Sequence, residues 1–173
     1  LWDRGETNGY AQHMTDDPYD GTPEHQVLLH VGFGDHQVAT VAAEMEARTI
    51  GAVVRGPALA DGRHPDAKPF YGLQVQTEFP TDKSVLVYWD SGTLPPPPGN
   101  ITPAASPEFA AACSTLSGDD RERDTECADS HEDPRRAPES ILQKDLFLRP
   151  DGRIEDTCNA QPCTAVHRKL LDY

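Results

Sequence analysis

Two residues in this 173-residue chain stand where acid–base chemistry could be built. Asp35 lies in Gly32-Phe33-Gly34-Asp35-His36-Gln37-Val38, directly behind the apolar run Gln26-Val27-Leu28-Leu29-His30-Val31. A short apolar run without alternation reads as a strand covered on both faces, as in a parallel sheet. A carboxylate just beyond the C-terminal end of such a strand is where α/β sheets place ligands and catalytic groups. The glycines let the chain turn sharply enough to present it. The plainer alternative is a turn residue or a helix N-cap. His131 stands in His131-Glu132-Asp133-Pro134, before a helix that Asp133 would cap and Pro134 would open. An imidazole there can shuttle protons when an aspartate orients it. A surface histidine in an acidic loop is the competing reading.

Holding these groups requires ordered elements on both sides. Val38, Val41, Ala42 and Met45 recur at helical spacing, with Glu44, Glu46 and Arg48 outside the stripe and Gly51 as the stop. Residues 26–50 thus read strand, glycine turn, helix. Ser84–Trp89 is a second buried strand, ending at Asp90-Ser91-Gly92, and Tyr71–Gln76 alternates like an edge strand. Residues 93–130, entered through prolines 95–98, are far longer than an ordinary connection and read as an inserted excursion with a short helix near Pro107–Cys113. Ile141, Leu142, Leu146 and Phe147 mark a helical stripe over 134–148, and 149–173 form a tail. Residues 1–14 read as the end of a helix entering a loop.

The four cysteines, Cys113, Cys127, Cys158 and Cys163, lie in segments poor in apolar residues and rich in Pro, Ser and Asp. An even count in such surroundings points to two disulfides and an oxidising compartment, secreted or in the cell envelope. A zinc site is the rival, but no Cys-x-x-Cys knuckle is present. Of the three pairings, 113–127 with 158–163 closes the shortest loops and is favoured.

Composition narrows the function classes. With 15 Lys+Arg against 29 Asp+Glu the formal charge is -14, and the basic residues are scattered, which argues against nucleic acid. No apolar run approaches the ~20 residues of a membrane span. Only 36% of residues are hydrophobic, with 16 prolines and 13 glycines. The apolar residues concentrate in 26–50, 84–89 and 141–148, as expected of the closing part of a domain whose other strands lie upstream.

The order strand, G-x-x-D-x-x-V, helix, strand, loop with histidine, helix resembles the last third of the α/β-hydrolase fold, whose triad runs nucleophile, acid, histidine. Leu1-Trp2-Asp3-Arg4-Gly5-Glu6, His25–Leu29, Gly34–Val38, Glu46–Gly51 and His131–Arg135 are similar to a group of secreted bacterial α/β-hydrolase-like proteins, along essentially the whole chain. The resemblance implies the C-terminal part of one three-layer α/β-hydrolase domain over 1–173, with a long disulfide-tied insertion. It implies that 26–31 and 84–89 are the seventh and eighth strands, Asp35 the triad acid and His131 the base. No cofactor is implied. The chain contains no Gly-x-Ser-x-Gly, so the resemblance implies a nucleophilic serine upstream and an ester or amide acyl substrate, small-molecule or peptide.

Two other classes stay in view. One is a catalytically silent relative serving as an extracellular binding module. The other is a calcium-stabilised module in which Asp119, Asp120, Asp124, Asp129, Glu132 and Asp133 gather oxygen ligands. Asp90 is a fallback acid; His30 and His36 have no reason to converge on a metal, His36 reads as structural, and His64 precedes the second strand.

Overall fold

The two apolar runs become the backbone of a parallel sheet. In the computed structural model, which describes residues 9–98 and 101–167, β1 (Leu28–Gly32) pairs in parallel with β4 (Val85–Trp89), Leu28 opposite Val85 and Gly32 opposite Trp89. Two short strands follow beyond β4: β2 (Val53–Arg55) and β3 (Val75–Gln76), giving the all-parallel order β1-β4-β2-β3. All five residues of β4 are buried, as an unalternated apolar run demands. β1 lies at the edge of the described sheet, and its first three residues are only half-buried. The edge strand expected at 71–76 shortens to two residues. β2 was not anticipated, because three residues are too few to register a period.

The pleat of β4 sorts the core into two layers. Val85, Val87 and Trp89 pack with Val53, Ala137 and Ile154; Leu86 and Tyr88 pack with Val31, Phe33, Ala47 and Ile50. Helix α1 (Thr40–Thr49) covers the second face. The first is covered by α4 (Asp133–Arg136), α5 (Pro138–Phe147) and the tail. Between them, residues 93–130 carry α2 (Pro107–Cys113), where the short helix was expected, and α3 (Gly118–Arg123), which was not.

Both long helices lie where the sequence puts them but turn the opposite face inward. On α1 the buried residues are Thr40, Glu44 and Ala47, while Val41 and Met45, like Val38 just before the helix, are about half exposed. The reason is tertiary: Glu44 meets the buried Tyr88 hydroxyl, and Ala47 fits the sheet closely. The helix expected over 134–148 breaks at Pro138, which has no N–H to continue it. Ile141 and Leu142 face outward, and Ser140 and Gln143 are buried against His30. Asp133 is not the cap either. It occupies the first helical position, after Glu132, and its carboxylate lies 2.6 Å from His167.

The cysteines pair as 113–127 and 158–163. The first bridge joins Phe109 in a small core of the excursion's own. The tail is more than a disulfide-tied appendage. Ile154 pairs with Thr81, Thr164 pairs with Asp90, and Asp156 receives a two-pronged hydrogen bond from the buried Arg55 of β2 at 2.9 and 2.6 Å. Of the segment 1–14, Ala11–Met14 form a single 3-10 turn. Leu1–Glu6 lie outside the described residues.

Candidate functional site

Asp35 and His131 meet at the C-terminal end of the sheet. β1 ends at Gly32, and the following turn is possible because Gly34 adopts φ +76°, in the left-handed region. A side chain at Gly34 would also strike Leu94 O at 2.6 Å and Thr93 Oγ1 at 2.8 Å. Gly32 serves differently: a Cβ there would lie 2.9 Å from Ser130 O, so its absence lets the loop before His131 approach β1. Ser130 Oγ then donates to Phe33 O at 3.0 Å and fixes that approach.

The Asp35 carboxylate is shared between two tasks. Its Oδ1 accepts the backbone N–H groups of Gln37 (2.7 Å) and Val38 (2.9 Å), which sets the turn. Its Oδ2 accepts from His131 Nδ1 at 2.8 Å. The turn role and the orienting role are thus both filled by one side chain. Asp35 is 8% exposed and His131 20%. An ionised carboxylate can only accept, so a neutral His131 bonded to it carries its hydrogen on Nδ1 and leaves a lone pair on Nε2. Among the described residues no side chain hydrogen-bonds that Nε2; Glu132 Oε1 is 3.9 Å away and engaged with Arg135.

A third carboxylate holds the arrangement together, and its role was not anticipated. Asp129 Oδ1 accepts the N–H of His36 (3.1 Å) and of His131 (3.0 Å), while Oδ2 accepts from Gln37 Nε2 (2.8 Å). Burial pushes the Asp129 carboxyl up, but those hydrogen bonds and the His36 ring more than offset it and hold it below the ordinary range. It stitches the Asp35 turn to the His131 loop. The only signal in the sequence is its position two residues before His131, the spacing of an Asx turn.

The remaining histidines do other work. His30 contacts Gln143 at 2.7 Å and Ser140 at 2.9 Å, and burial lowers its pKa to about 4. His36 packs edge-on against Phe109, and burial lowers its pKa too. His167, 2% exposed, uses both ring nitrogens, 2.6 Å from Asp133 and 2.8 Å from Thr125 O. Burial opposes protonation of His167, but Asp133 and the Thr125 carbonyl outweigh it and raise its pKa. Asp90 is occupied by Arg63 at 2.6 and 2.8 Å. Among the described residues no three His, Cys, Asp or Glu side chains gather as a metal site.

A groove of about 630 Å³ opens beside Asp35. Val41 and Met45 of α1 line it together with Pro96, Pro97 and Ile101. The outward stripe of α1 is therefore a groove wall. His64 also lines it, so its place before β4 in the chain does not keep it from the site. A second hollow of about 510 Å³, lined by Thr15, His25 and Ser84, lies at the opposite ends of the strands.

No protein-family model, curated protein or solved structure matches the chain. Its chemistry rests on geometry alone. A carboxylate-oriented imidazole with Nε2 unengaged, at the C-terminal end of parallel strands, can take and return a proton; its partner Asp35 lines the groove, while His131 does not.

Proposed function

We propose that this chain carries the acid and base of a secreted serine hydrolase of α/β-hydrolase type, acting on carboxylic ester or amide bonds. The observation that supports it is the 2.8 Å contact between Asp35 Oδ2 and His131 Nδ1, with Nε2 left unengaged. The nucleophile comes from a serine preceding these residues, in a segment that also supplies the oxyanion donors. In this reading His131 Nε2 takes the serine proton as Oγ bonds to the acyl carbon, then delivers it to the departing oxygen or nitrogen. Water repeats the cycle and frees the acid. Asp35 holds the tautomer and stabilises the imidazolium. The two disulfides favour a location outside the cytoplasm. No helix among the described residues is long and apolar enough to cross a membrane.

A second reading, a silent extracellular binding module, is favoured by the groove of about 630 Å³, which Asp35 lines and His131 does not. Fluorophosphonate labelling of the full-length protein separates the two. A serine adduct that His131→Gln abolishes supports the hydrolase; a folded wild-type protein that takes no label supports the silent module.

A further inference from the structure

We infer that the groove beside Asp35 binds a protonated amine carried on an apolar chain, so that the substrate is an ester or amide bearing an ammonium group. This rests on the hydrolase reading for the word substrate, but not for the binding itself. The groove is built from two kinds of surface. Part of its lining is apolar: Val41 and Met45, both about half exposed, with prolines 96–98 and Ile101. Its charged lining residues are all acidic: Asp35, Glu44 and Asp66, with no Lys or Arg among the described residues that line it. Arg48 is drawn to Tyr71 O at 3.3 Å and Arg63 to Asp90, and Arg121, whose charge reaches His36, is not among the lining residues. Burial lowers the pKa of both histidines in the lining, His36 and His64, so they favour the neutral form.

Within this acidic setting, unused acceptors await a donor. Thr40 lines the groove, is only 4% exposed, and its Oγ1 has no hydrogen-bond partner. Leaving a buried hydroxyl unmatched costs stability. His36 Nε2, in the same lining, is likewise buried without a partner, and it accepts when the ring hydrogen sits on Nδ1. Thr40 and Glu44 are four residues apart on α1, so they share one helical face. Glu44 is itself held by the Tyr88 hydroxyl, whose pKa is raised by burial and by the Glu44 charge, so Tyr88 remains a donor. A hydroxyl, a neutral imidazole nitrogen and a carboxylate can all accept. An ammonium group has three N–H donors and no acceptor, and its alkyl chain suits the walls. A carboxylate ligand would meet like charge from Asp35, Glu44 and Asp66 and find no Lys or Arg in the lining.

The test uses the full-length protein with n-hexylammonium, n-hexanol and n-hexanoate, each followed by calorimetry at pH 7. Hexylammonium is expected to bind at least ~10-fold tighter than hexanol, with hexanoate weaker still. Glu44→Gln should remove that preference. Thr40→Val, which leaves the Tyr88 contact intact, should weaken hexylammonium several-fold and leave hexanol unchanged. Equal binding of hexanol and hexylammonium, or preference surviving in both variants, overturns the inference. His131→Gln should keep ammonium binding while losing the fluorophosphonate adduct. Ammonium binding without any wild-type adduct would defeat the hydrolase reading and leave the groove assignment standing; an adduct without ammonium preference would do the reverse.

Discussion

Asp35 Oδ2 and His131 Nδ1 are 2.8 Å apart although 96 residues separate them in the chain. A contact across that distance makes a definite claim about how each group fails. In the full-length protein, Asp35→Asn keeps the shape but can present an N–H to Nδ1 and so favours the wrong tautomer. The expected loss in kcat is ~10³- to 10⁴-fold, with His131→Gln at least as damaging. Ester turnover and fluorophosphonate labelling rate, measured beside the melting temperature, separate this loss from unfolding. Wild-type turnover in a folded Asp35→Asn protein would dismiss the orienting role.

Gly34 carries both a left-handed backbone and a close approach to Leu94 O. Gly34→Ala should therefore cost more than the ~1 kcal/mol of the backbone change alone, lowering the melting temperature by at least ~2–4 °C. Labelling should slow further than stability explains, since the turn that presents Asp35 must shift. Gly62→Ala, at φ +72° with open space around it, is the control that isolates the backbone cost.

His30 sets an acid limit. Its pKa is near 4 when folded and 6.5 when exposed, so between those values the unfolded chain binds a proton that the folded one refuses. Stability is full above pH 6.5 and is lost as pH falls towards 4, by roughly 3 kcal/mol from this group. Denaturant midpoints at pH 7, 5.5 and 4 should fall more steeply for wild type than for His30→Gln. Parallel lines would remove His30 as the cause.

The Cys113–Cys127 bridge closes a loop of sequence separation 14 a few residues before Asp129 and His131. Removing it by paired Ser substitutions should cost about 3 kcal/mol, against about 2 for Cys158–Cys163 with its shorter loop. Thermal melts with and without reductant check the magnitudes. Removing the first bridge alone should also slow labelling, because Cys127 anchors the chain two residues before the Asp129 clamp.

What could be read from the chain follows from where the information resides. β1 and β4 were legible as unbroken apolar runs, though only β4 is covered throughout, and the meeting of Asp35 with His131 was legible because one follows a strand and the other precedes a helix. The positions of α1 and α5 were legible, but not which face each buries. Periodicity records where apolar side chains lie, whereas the buried faces were chosen by distant polar partners: Tyr88 for Glu44, and His30 for Ser140 and Gln143. Asp129 was visible only as one acid among several, since nothing local shows that two backbone N–H groups from separate loops will converge on it.

The returning tail also bears on how the protein is made. Ile154 and Cys163, 0% and 1% exposed, complete the layer over Val53, Val85 and Trp89. During synthesis that side of the sheet stays open after β4 has left the ribosome and closes only when residue 163 arrives. Folding of this layer therefore waits on residues about 75 positions beyond the end of β4. Until residues 154–163 dock, the Val53, Val85 and Trp89 side of the sheet is open apolar surface, the kind that holds a folding intermediate prone to association.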